Sequence, residues 1–105
     1  IAEPPVRFHD ELTQDELIYT HLVRATDIDM GRHMNNVVYI RLLLDCLPAK
    51  ELASGRIKSI EAHYASPCLE GETLGVFCRR EDRLCRMAVR HADGRPAVLA
   101  QIVFR

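Results

Sequence analysis

The sequence predicts an α+β domain in which a five-stranded antiparallel sheet wraps around one central, buried helix. Three observations point there. The run 37–47 leaves only Arg41 and Asp45 polar, so a helix in that place must be covered on most of its sides. Four stretches with strand-like patterning follow it, joined by short turns. One more alternating stretch precedes it, set apart by a polar loop.

Residues 1–14 contain Pro4-Pro5 and little periodicity, and read as a lead-in or linker; residues 15–105 read as a single domain. Over 15–26, Leu17, Tyr19, His21, Val23 and Ala25 alternate with a second set, which predicts the first strand. A loop over 27–35 follows, and Asn36 is suited to cap the helix, because its side chain can accept from the open amides of the first turn. The β-branched residues of 37–47 would also permit a strand, but eleven residues ended by Pro48 favour helix. Residues 49–55 read as a short exposed connection with room for one helical turn. The second strand, 56–66, carries Ile60, Ala62 and Tyr64 on one face and is halted by Pro67. Glu70-Gly71-Glu72 turns into 73–80, with Leu74, Val76 and Cys78 on one side. Glu81-Asp82-Arg83 leads into 84–91, and Asp93-Gly94 marks a hairpin before 96–105.

At 105 residues the chain supports one core with little margin. Its formal net charge is −1, which gives no reason to expect nucleic acid or a membrane surface as a partner. The charge is unevenly spread: residues 1–52 hold nine acidic and five basic side chains, and 53–105 hold six and nine. Arg79, Arg80, Arg83, Arg86, Arg90 and Arg95 form a group that could meet an acidic partner or simply be a solvated sheet face. Cys46, Cys68, Cys78 and Cys85 lack any CxxC pairing and read as free thiols in a reducing compartment. His63 and Cys68 have no second ligand pair at suitable spacing, so no metal is expected. No signal peptide is evident, and no apolar run nears the roughly 20 residues a membrane helix needs. The first residue is Ile1, which reads as a cut from a longer protein.

Chemistry-bearing residues crowd into 26–36, directly before the helix. The pattern Asp27-x-Asp29-x-x-x-His33-x-Asn35-Asn36-x-x-Tyr39, with Leu47-Pro48 and later Tyr64 and Gly71, closely resembles the C-terminal hotdog domain of acyl-acyl carrier protein thioesterases of the oleoyl type. The likeness runs over 19–76. It implies a hotdog fold and hydrolysis of fatty acyl thioesters to free fatty acid, without a cofactor, in a bacterial cytoplasm or a plastid stroma. It also implies an acyl carrier protein substrate and a second hotdog domain as neighbour, here a homodimer if the domain stands alone. Hotdog enzymes acting on acyl-CoA share the looser Asp-x-Asp and Asn-Asn-x-x-Tyr elements, and for them Asp27 is the nearer match to the catalytic carboxylate.

Such a reaction needs donors for the developing oxyanion, a group that activates water and an apolar place for the chain. The amides near Asn36, Val37 and Val38 would serve the first need at the positive end of the helix dipole. Tyr39, Ile40, Leu43 and Leu44 would line the acyl slot. Asp29 is the preferred base, with His33 orienting it; Cys68 attacking as a thiolate assisted by His33 is the alternative. Plainer roles exist for each: Asp27 and Asp29 as turn formers, His33 as a loop residue, Asn35 and Asn36 as structural, Tyr39 as core. Two departures stand out. Gly31 occupies the place of an Asn in the family pattern, and Pro67 that of a Glu. They allow a third reading, a hotdog whose site has degraded and which serves a structural or acyl-binding role.

Overall fold

The computed structural model describes residues 12–29 and 34–105. Strand β1 (Leu17–Leu22) is followed by helices α1 (Asn36–Leu44) and α2 (Ala49–Ala53), then by β2 (Ile57–Tyr64), β3 (Thr73–Glu81), β4 (Leu84–Arg90) and β5 (Pro96–Phe104). The strand expected over 15–26 is shorter because a carboxylate draws each end into a 3-10 turn. Glu16 Oε1 accepts from the Thr13 amide at 2.7 Å, and Asp27 Oδ2 from the Arg24 amide at 3.1 Å.

All strand pairs are antiparallel, in the order β1-β3-β4-β5-β2. The inner face of this sheet lies on α1, the hotdog arrangement. Val38, Tyr39, Leu42 and Leu43 of α1 share one core with Leu74, Val76, Met87, Val89, Val98 and Ile102 of the strands. Leu43 and Ile102 are fully buried, and each such aliphatic side chain contributes about 1.5–3 kcal/mol. A register shift between Leu17 and Tyr19 turns these two residues to opposite faces, which the simple alternation does not anticipate. Tyr19 packs against the main core, whereas Leu17 joins Leu12, Phe77, Ala88 and Leu99 on the outer face. Gly75 is required there, since a Cβ would stand 2.8 Å from Phe77 Cε1.

Two expectations about α1 are corrected. The cap is Asn35, whose Oδ1 accepts from the Val37 amide at 2.8 Å, and Asn36 is the first helical residue. Nor is the helix enclosed: its buried positions form one stripe, 38/39/42/43, while Val37 is 73% exposed and Arg41 is exposed. The apolar composition therefore overstates how much of the helix this sheet alone covers. Among the described residues no helix is long and apolar enough to cross a membrane.

Candidate active site

A pocket of roughly 280 Å³ opens at the N-terminal end of α1. Met34, Asn36 and Tyr39 form one side; Tyr64 to Pro67, at the exit of β2, form the other. The two sides are tied together beneath it. The Met34 amide donates to the Cys68 carbonyl at 3.1 Å, and the Cys68 amide donates to Tyr39 Oη at the same distance. The Tyr39 and Tyr64 rings meet edge to face with centroids 5.6 Å apart. From the far side, Ala65 and Ser66 both donate their amides to the Ala97 carbonyl of β5.

Of the residues expected at the site, Asn36 and Tyr39 line this pocket. Asn35 acts as cap, Val37 faces solvent, and Ile40 is half-buried against the core. The three first-turn amides are not equivalent. Asn35 Oδ1 takes the Val37 amide and the Asn35 carbonyl takes that of Val38, while the Asn36 amide has no hydrogen-bond partner among the described residues.

Asp27 and Asp29 occupy contrasting places. Asp27 is buried, its Oδ2 2.8 Å from His21 Nε2 and its Oδ1 3.8 Å from Arg41; its backbone carbonyl accepts the Asn35 amide. Burial pushes the carboxyl up, but the Arg24 amide, His21 and Arg41 outweigh it and hold it below the ordinary Asp range. It is an ionised anchor for the loop. Asp29 is exposed, one residue beyond the Ile28–Met34 bridge that closes the loop base. His33 and Gly31 lie outside the described residues. Cys68 is fully buried, and burial raises its thiol, with only Tyr39 acting in the opposite direction, so the environment opposes the thiolate that attack would require.

A hydrogen-bonded relay at the pocket rim was not foreseen from the sequence. Ser66 Oγ lies 2.7 Å from His91 Nε2 and 2.8 Å from the Pro96 carbonyl, and His91 Nδ1 lies 2.6 Å from Glu72 Oε1. Glu72 Oε2 accepts the Leu69 amide. Burial pushes the Glu72 carboxyl up, but the Leu69 amide, His91 and Arg95 hold it below its usual range. Cys68, Glu72 and His91 offer donor atoms within 4.8 Å of one another, a set that could hold a metal. The hydrogen bonds close without one, and no described buried side-chain polar atom is left unpartnered. Separations of 19 and 25 residues hide this relay from any local motif.

The arginine group does not form one free basic surface. Arg79 pairs with Glu16, Arg80 with Glu51, Arg86 with Glu81 and Arg95 with Asp93. Arg90 donates to the Leu12 carbonyl and stacks on Phe77. Register separates them further: Arg79 and Arg86 are directly paired on the outer face, and Arg80 reaches over the Phe104 ring.

Residues 10–105 match the family model described as the acyl-ACP thioesterase C-terminal domain. The chain belongs to that family. An acyl-ACP thioesterase from Bacteroides thetaiotaomicron has a similar structure, with TM-score 0.86 and 24% identity over 98% of this chain and 42% of that one. The 12:0-ACP thioesterase from Umbellularia californica gives TM-score 0.78 and 19% identity over 95% and 40%. A thioesterase from Thermus thermophilus, complexed with coenzyme A and zinc, gives 0.59 and 24% over 82% and 79%. The chain thus spans about two fifths of the two acyl-ACP thioesterases. No curated protein matches the sequence. Against the family pattern, Pro67 stands on the pocket wall where a carboxylate is expected.

Proposed function

We propose that this acyl-ACP thioesterase C-terminal domain forms the hydrolytic part of an enzyme that cleaves fatty acyl thioesters on acyl carrier protein. The observation that carries this reading is the pocket itself, apolar along Met34, Tyr39 and Tyr64 and bounded by the first residue of α1. The thioester oxygen would turn toward the Asn36 amide, where the helix dipole also favours negative charge. Asp29, oriented by His33, takes a proton from water; the water oxygen attacks the carbonyl carbon, the C–S bond breaks, and the thiol leaves with that proton. Asp27 is engaged on both oxygens as an anchor, which disfavours the acyl-CoA-type assignment of the base to it. The burial of Cys68 disfavours the thiolate route.

The exposed side of α1 and the edge strands β1 and β2 support pairing with a second hotdog domain, in the same chain or another copy. A second reading, acyl binding without turnover, draws on Pro67 and on the two first-turn amides already taken by Asn35. Hydrolysis of acyl-ACP and acyl-CoA by the protein and its Asp29→Asn, His33→Ala and Cys68→Ala variants decides among these. Asp29→Asn and His33→Ala should each lose about 100-fold or more in kcat/KM. Cys68→Ala should stay close to the parent protein. Undiminished turnover in Asp29→Asn refutes the base; saturable acyl-ACP binding with no turnover by the unaltered protein favours the second reading.

A further inference from the structure

Away from the pocket, three of the four cysteines meet beyond the C-terminal end of α1. Cys46 follows the helix, Cys78 lies on the inner face of β3, and Cys85 is the second residue of β4. The ladder pairs Cys78 with Met87 and Cys85 with Arg80, so the two thiols are diagonal neighbours on one face. Their sulfurs stand 2.7 Å apart. A disulfide bond measures about 2.05 Å, so closing it asks for roughly 0.7 Å of sulfur movement.

The three thiols are not alike. The neighbouring Cys46 and Cys85 thiols and the positive charge of Arg80 hold Cys78 far below the usual thiol range despite its partial burial. Closeness to the Cys78 sulfur, with burial, pushes Cys46 and Cys85 up. Cys78 is partly exposed and Cys85 is fully buried. A reachable thiolate backed by a protonated thiol at contact distance is what two-electron oxidation to a disulfide requires.

We propose that Cys78 and Cys85 are a reversible oxidation site, with hydroperoxides as oxidant, Cys78 attacking and Cys85 resolving. The Cys78 thiolate attacks the distal peroxide oxygen; the S–O bond forms as the O–O bond breaks, and the alkoxide or hydroxide leaves and takes a proton from solvent. Cys78 is then a sulfenic acid. The Cys85 sulfur attacks it, the S–S bond forms, and the thiol proton departs with the hydroxyl as water. A dithiol reductant returns both thiols. Cys46 stays reduced, its thiol turned to the Leu42 carbonyl.

The test treats the protein with dilute hydrogen peroxide, alkylates remaining thiols under denaturing conditions and maps peptides by mass spectrometry. The first product should be a Cys78–Cys85 disulfide, reversed by dithiothreitol, with Cys68 still alkylated. Cys85→Ser should stop at a Cys78 sulfenic acid that dimedone captures. Oxidation of Cys46 or Cys68 ahead of Cys78 overturns the proposal. So do four fully alkylated cysteines after peroxide has oxidised an unstructured cysteine peptide in the same tube, or absence of dimedone adduct in folded Cys85→Ser. The map of the unaltered protein decides the matter even where a variant does not fold.

Discussion

Replacing Asp27 with Asn separates an anchoring carboxylate from a catalytic one. The side chain is buried, receives the Arg24 amide at 3.1 Å and His21 Nε2 at 2.8 Å, and lies 3.8 Å from the exposed Arg41. Asn keeps the volume but loses the charge and one acceptor. Hydrogen bonds to a charged group contribute about 1.5–3 kcal/mol and neutral ones about half as much, so two weakened bonds cost about 2 kcal/mol at neutral pH. Arg41 adds little through solvent. For a domain of this size such a loss lowers Tm by about 8–16 °C. The pH dependence sharpens the test. Because the folded-state pKa lies below its unfolded value, the stabilisation is fully present above the ordinary Asp range and is lost as pH falls through the folded value. The gap between parent and variant should be widest near neutrality and should close in acid, below about pH 4. Urea unfolding followed by circular dichroism at several pH values measures it. A gap that is independent of pH, or under about 0.5 kcal/mol at neutral pH, refutes the anchoring role; lost turnover at unchanged stability would return Asp27 to candidacy as base.

Tyr39→Phe should retain the edge-to-face contact with Tyr64 but leave the buried Cys68 amide without its acceptor, costing about 1–3 kcal/mol in denaturant unfolding and lowering thioester turnover. Gly75→Ala should cost about 1–3 kcal/mol by forcing Phe77 aside, and combining it with Phe77→Leu should recover part of that loss; an additive double variant would contradict the contact.

Most of the fold could be read locally. Alternation located β3, β4 and β5 to within a residue or so, and Pro48 and Pro67 stop their segments for reasons internal to the chain. What could not be read depends on side chains meeting across the fold. The bulge at Leu17 and Tyr19 reverses the face of one residue, and the outer cluster that rewards it is built from strands remote in sequence. Asn35 and Asn36 are equally good caps by composition; the bond from the Asn35 amide to the Asp27 carbonyl helps fix which one turns its side chain back on the helix. At the candidate site, Asn36 and Tyr39, which line the pocket, were legible because they belong to one local motif. Ser66, Glu72 and His91 were not, and the arginines read as one group until the acidic partners that Arg79, Arg80 and Arg86 find on other elements are placed beside them.

The Ala97 carbonyl, which holds the amides of Ala65 and Ser66, gives the pocket a place in the order of synthesis. The loop and helix that carry Asp29 and Tyr39 are made before the opposite wall, which is tied to them through Cys68 but gains its second anchor only when β5 exists. A ribosome releasing this chain therefore exposes the segment from Asp27 to Tyr39 before the pocket has both of its walls fully tied, and the last tie is made only when β5 has joined the sheet.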